Sequence, residues 1–237
     1  MPCDPNPCDF TGCNAPISSR QITTPHFRRL DGGGSRDGGR SVQRAGGNCG
    51  ELFLHGDAGY EDALAWSDTG VAPPYFGAFA ECYEGVSGFR VCSLVLDLTQ
   101  NGGQAGQTLD AYVWDDDGGC PGNVTCLRAG VDPGPVAFWP EVSRHAIELE
   151  GCCINANFWG GYWGNWPGAE AGWYVGADLN PGNGCAATFV APGQSMPVGW
   201  QLLTDYGALG IGCEIDYSCG GTPTETTTWG RVKMLFR

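Results

Sequence analysis

The sequence is poor in the residues that most chemistry runs on. Of its 237 residues one is lysine, three are methionine and three are histidine. His26, His55 and His145 are the whole stock of imidazole, and nothing in the sequence brings any of them beside a nucleophile. Ser195 sits in GQSMP (193–197), not in the G-x-S-x-G turn that presents a serine nucleophile. A thiol nucleophile needs a neighbouring histidine as base. The histidines are therefore read as surface or structurally bonded groups. No apolar run approaches the ~18–20 residues of a membrane span. The opening Met1-Pro2-Cys3-Asp4 has neither the basic start nor the apolar stretch of a secretory leader. Helical periodicity is nearly missing, and only residues 61–66 could make a turn or two. Paired C-x-x-C knuckles, the mark of a structural zinc site, are missing too.

What the chain does have is cysteine and glycine, thirteen of one and forty of the other. Cysteine at this density suits an oxidising compartment, so secretion is expected, with any leader already removed or lost to a misplaced start. Thirteen is odd, so at least one thiol has no intramolecular partner. Ten cysteines lie from Cys49 onward, an even set. The odd thiol falls most economically among Cys3, Cys8 and Cys13. Cys82 and Cys92 flank the turn at 84–88 and could staple adjacent strands. Cys120 and Cys126 could close a small loop. Each bridge contributes roughly 2–4 kcal/mol, less for short loops. Cys152 and Cys153 point to opposite faces if extended, so each is expected to pair elsewhere.

The net charge of −14 is unevenly spread. Residues 1–48 set six arginines against four aspartates, and residues 49–218 set three arginines against twenty-one acids. Arg231, Lys233 and Arg237 outnumber Glu225 at the end. Two mildly basic ends flank an acidic body. Such a body repels nucleic acid and anionic membrane, and the ends of one molecule suit the body of another.

Three segments follow. Residues 1–48 are rich in glycine, proline and cysteine, show neither helix nor strand period, and read as an extended arm. Residues 49–218 read as all-β. Strand-like runs at 51–55, 75–83, 89–99, 108–114, 136–139, 145–150, 152–159, 172–178, 199–204 and 208–215 alternate with glycine, proline and asparagine turns. Such a pattern predicts a jelly-roll-like antiparallel β-sandwich. Residues 219–227 read as a linker. Residues 228–237 read as an amphipathic strand, with Trp229, Arg231, Lys233 and Leu235 on one face and Val232, Met234 and Phe236 on the other. Alone it cannot bury its apolar face.

The phrases PPYFGAFAE (73–81), VWDDDGG (113–119), WPEVSRH (139–145), GYWGNWPG (161–168) and TTWGRVK (227–233) together resemble a set of uncharacterised secreted bacterial β-sandwich proteins. The resemblance covers about residues 51–237. It implies secretion and an all-β body, and it carries no catalytic residue with it.

Candidate chemistry is thin. Asp115, Asp116 and Asp117 follow a strand and offer hard oxygen ligands to calcium, although adjacent side chains diverge and the spacing is not that of an EF-hand. The alternative is a solvated turn. Trp159, Tyr162, Trp163 and Trp166 could form a platform for sugar rings, or pack in a core or an interface. A hydrolase would need two facing carboxylates, which so acidic a body could supply by chance. The favoured expectation is a non-enzymatic extracellular or cell-surface structural subunit. Its partners are other copies of itself, joined through Cys3, Cys8 or Cys13 and the 228–236 strand into a filament or array. It requires no cofactor. The rival is a calcium- or polysaccharide-binding module.

Overall fold

A computed structural model describes residues 27–36, 51–66, 72–85, 88–102, 107–166, 172–180, 184–190 and 198–219. The strands are β1 (Phe27–Arg36), β2 (Glu51–Leu54), β3 (Gly59–Trp66), β4 (Tyr75–Tyr83), β5 (Phe89–Gln100), β6 (Leu109–Asp116), β7 (Pro121–Val131), β8 (Ala137–Phe138), β9 (Glu141–Ile154), β10 (Phe158–Trp166), β11 (Trp173–Asp178), β12 (Ala187–Val190), β13 (Gly199–Leu202), β14 (Ala208–Leu209) and β15 (Ile211–Asp216). No helix occurs among the described residues.

The strands make two packed sheets, so the fold is an all-β sandwich. One has six strands in the order β13-β12-β4-β10-β6-β7, antiparallel throughout. The other has nine, running β14-β11-β3-β1-β9-β5-β15-β2, with β8 beside β5. Two short pairings in it are parallel, β1 with β9 and β5 with β8. β11 also pairs with the end of β5, so this sheet closes on itself through β5, β9, β1, β3 and β11.

Period-two alternation explains the layers. On β4, Phe79 and Tyr83 enter the main core while Ala78 and Ala80 face the other way. On β10, Phe158, Tyr162 and Trp166 join the main core while Trp159 and Trp163 face outward. β5 is buried at all but one position because it is paired on both sides at the centre of its sheet, and its polar members Ser93, Asp97, Thr99 and Gln100 are buried with the rest.

Three expectations give way here. Phe27–Arg36, inside the segment read as an arm, is a strand held against β3 and β9. Its glycines hid it: ladder pairing needs main chain rather than side chains, and the register shifts between Asp31 and Gly34. The sheet therefore begins well before residue 49. Residues 61–66 are not a helical turn but the buried half of β3, paired with β1 and β11. Tertiary pairing overrides the helical leaning of the Glu-Asp-Ala-Leu-Ala run. Finally, the run read as one strand at 152–159 divides between the end of β9 and the start of β10, and β7, β12 and most of β10 have no counterpart among the expected strands. β7 is an edge strand with several glycine and polar positions, and β12 has only four residues.

Candidate functional site

The cysteines lie where adjacent strands bring them together. Cys82 on β4 bonds Cys185, just before β12, not Cys92. Cys126 on β7 bonds Cys152 on β9, not Cys120. That bridge joins the edge of one sheet to the other. Cys153 bonds Cys219, tying β9 to the end of the body. The vicinal pair thus bonds in two directions. Cys92 and Cys120 are also disulfide-bonded. Their partners lie outside the described residues, since the other described cysteines are paired with one another or, like Cys213, reduced. The expectation of an odd thiol among Cys3, Cys8 and Cys13 falls outside the described residues. Among the described residues the thiol without a bridge is Cys213, fully buried on β15. Its sulfur packs where a Cβ on Gly160 would come within 2.8 Å of it. There it acts as a small apolar side chain, and burial pushes its pKa up. These disulfides suit a non-cytoplasmic compartment.

Buried charge is concentrated at two points. Glu81 on β4 is fully buried. One carboxylate oxygen accepts the Leu209 amide at 2.8 Å and the other accepts the Cys185 amide. Glu81 thereby links the six-stranded sheet to β14 of the nine-stranded one. Burial raises its pKa to about 7, against the lowering effect of the two amides. Asp97 on β5, also fully buried, accepts two bonds from Arg144, 2.8 Å from Nε and 2.7 Å from Nη2. The Tyr60 hydroxyl donates to the same carboxylate at 2.5 Å. This is a paired, hydrogen-bonded buried charge, the form in which an ion survives inside a protein.

The described histidines are engaged. His55 stacks on Tyr83 at 4.9 Å and its Nε2 meets the Cys82 carbonyl at 2.7 Å. His145 Nδ1 donates to the Pro133 carbonyl at 2.6 Å, which leaves Nε2 to accept from the Ser143 hydroxyl at 2.8 Å. Burial lowers the His145 pKa. A serine beside a neutral imidazole is the start of a nucleophilic pair. Ser143 Oγ also accepts the Ala137 amide at 2.9 Å, which ties the pair to the main chain of β8. The arrangement locks the β8–β9 turn.

At the acidic turn, Asp115 Oδ1 accepts the Asn123 amide and Oδ2 accepts its side-chain amide. Asp116 Oδ1 accepts the Trp159 indole N–H at 2.8 Å, and Oδ2 accepts the Gly119 amide at 3.2 Å. Asp117 donates its own amide to the Cys120 carbonyl. The side chains of Asp115 and Asp116 serve separate local bonds. Among the described residues no three His, Cys, Asp or Glu side chains come together to hold a metal ion.

The four aromatics proposed as a sugar platform are not on the surface. Trp159, Tyr162 and Trp166 are at most 1% exposed and Trp163 8%. Strand alternation divides them: Tyr162 and Trp166 lie between the sheets, and Trp159 and Trp163 lie on the outer face of the six-stranded sheet. Sequence reading took the four as one patch and missed the rings that accompany the second pair. On that outer face Tyr112 stacks on Trp114 at 4.9 Å, Trp114 meets Trp200 edge-on at 5.0 Å, Trp200 meets Phe189 at 5.4 Å, and Phe189 meets Trp163 at 5.8 Å. Small residues floor the array. A Cβ on Gly161 would come within 2.9 Å of the Trp114 ring, so only glycine admits the indole there. Cys120, fully buried, belongs to the same cluster.

Cys3, Cys8 and Cys13, and the terminal set Trp229, Arg231, Val232, Lys233, Met234, Leu235 and Phe236, lie outside the described residues. What the structure defines is a disulfide-braced β-sandwich with a second aromatic layer. No family model matches the chain, and the comparisons with curated proteins and with solved structures found no match. Among the described residues no helix is long and apolar enough to cross a membrane.

Proposed function

We propose that the chain is a secreted, non-enzymatic structural subunit that assembles with copies of itself through its terminal segments. The observation that carries this reading is where the chemistry-bearing side chains go. Glu81, Asp97, Arg144, His55 and His145 are hydrogen-bonded into the fold, and three disulfides brace both sheets. A body built this way is durable, and durability is what an extracellular structural part requires. Its acidic character leaves the basic 228–237 strand a complementary surface on a neighbouring molecule, which adds orientation more than affinity. An extended segment can complete a neighbour's sheet by main-chain hydrogen bonding, with alternate side chains in pockets. Membership of the secreted sandwich proteins that the sequence phrases resemble belongs to the same proposal.

Truncation after Thr224 tests it. The shortened chain should stay folded and monomeric under conditions in which the full chain forms larger species by light scattering. Unimpaired assembly of the truncated chain would overturn the role of the tail. A calcium- or sugar-binding module has no observation of its own: the rings are buried, and the side chains of Asp115 and Asp116 already accept protein donors.

A further inference from the structure

The disulfides at Cys82–Cys185, Cys126–Cys152 and Cys153–Cys219 differ in what a departing sulfur would find. Exchange needs one sulfur that a thiolate can reach and another that can leave as a thiolate, which requires water or a hydrogen-bond donor. Cys126 is half-buried, but its partner Cys152 has no exposed surface and belongs to the main core. Cys153 is exposed, but its partner Cys219 is buried. In both, the sulfur that can be reached would have to expel one that water does not solvate. Cys82 and Cys185 are both half-buried, on the outer side of the six-stranded sheet. Past the last β12–β4 pair, Ala187 opposite Ala80, the Cys82 amide donates to Cys185 Sγ at 3.0 Å. A donor aimed at a sulfur stabilises its thiolate. Glu81 accepts the Cys185 amide, and His55 Nε2 donates to the Cys82 carbonyl at 2.7 Å, so the main chain is fixed on both sides of the bridge.

We propose that Cys82–Cys185 is a reversible thiol–disulfide exchange site for low-molecular-weight thiols, attacked at Cys82 and opened by departure of Cys185. An incoming thiolate RS⁻ forms a bond to Cys82 Sγ. The Cys82–Cys185 bond breaks, and its electron pair leaves on Cys185 Sγ beneath the Cys82 N–H, where it takes a proton from water. A second thiolate attacks the RS sulfur carried on Cys82, releasing RS–SR and the Cys82 thiolate. Two small thiols are oxidised, and the protein bridge is reduced to two thiols. The reverse reaction needs only RS–SR. The fold keeps the pair in place for it. β12 stays paired with β4 from Ala187 to Val190, Thr188 Oγ1 donates to the Ala78 carbonyl at 2.9 Å, and the two Cα atoms stand 5.6 Å apart. A half-buried bridge on a sheet face admits a small thiol more readily than one carried on another folded surface.

This chemistry belongs to one chain and stands whether or not copies assemble. The test is exposure of the native, oxidised full chain to reduced glutathione, with quenching at intervals, alkylation of the freed thiols and mapping by mass spectrometry. Cys82 and Cys185 should be freed on the order of tenfold faster than Cys126, Cys152, Cys153 and Cys219. The early glutathione adduct should sit on Cys82. Oxidised glutathione should then restore the Cys82–Cys185 bridge. Release of all three bridges together, earlier release of either other bridge, or an adduct on Cys185 overturns the proposal. So does failure of the bridge to form again.

Discussion

Replacing Glu81 by glutamine should flatten the pH dependence of folding stability. The carboxyl group is buried at the meeting of β4, β14 and the segment before β12, and its pKa stands at about 7 rather than 4.5. The native state therefore holds a proton that the unfolded state has released between those two values. Stability from this group is fully present below pH 4.5, declines as pH rises, and levels off above about 7. A displacement from 4.5 to about 7 corresponds to about 3 kcal/mol. Glutamine does not titrate. Its one carbonyl oxygen satisfies either the Leu209 or the Cys185 amide, and the other amide is left facing an NH2 group. That should cost about 1–3 kcal/mol at pH 5. At pH 8 the deficit should shrink or reverse, because the parent then carries a desolvated charge. Urea melts of both proteins, disulfides intact, at pH 5, 6, 7 and 8 give the difference directly. Taking the difference removes the acid repulsion common to both chains. Parallel stability curves for parent and variant across this range would refute the reasoning.

Arg144→Leu leaves Asp97 charged and buried without its partner, and should destabilise by about 3–5 kcal/mol; a loss below 1 kcal/mol in chemical denaturation would show that Asp97 is not the buried anchor described. Replacing both Cys126 and Cys152 by alanine opens a loop with a sequence separation of 26, and should lower stability by about 3 kcal/mol; unchanged melting would mean that sheet packing alone joins β7 to β9. Gly161→Ala places a Cβ against Trp114 and the Phe79 carbonyl, and should destabilise by about 1–3 kcal/mol through overpacking; a neutral substitution would mean the indole does not lie on β10. Cys213→Ala should cost stability without altering the disulfide map, which checks that this thiol packs rather than pairs.

Part of this architecture was legible in the sequence. Residues 75–83 and 89–99 announce strands by runs rich in aromatic, leucine and valine residues, and both occur nearly as read, as β4 and β5. β1 was not legible because its pairing with β3 breaks register between Asp31 and Gly34, at glycines that carry no side-chain pattern. Cysteine spacing failed for a similar reason. Cys82 and Cys185 are 103 residues apart in sequence, and only the pairing of β12 with β4 brings them together. The outer aromatic face was half visible. Alternation already separates Trp159 and Trp163 from Tyr162 and Trp166, but sequence does not say whether the outer face of a sheet is covered. Tyr112, Trp114, Phe189 and Trp200 come to that face from three further strands, and no local pattern links them.

The central claim, that this is a self-assembling structural subunit, is most directly tested by sedimentation velocity on the intact chain over a wide concentration range, with negative-stain electron microscopy of the same samples. The account predicts species larger than the monomer, growing with concentration and visible as regular filaments or arrays. A single monomeric boundary at every concentration, with no ordered particles on the grid, would contradict it.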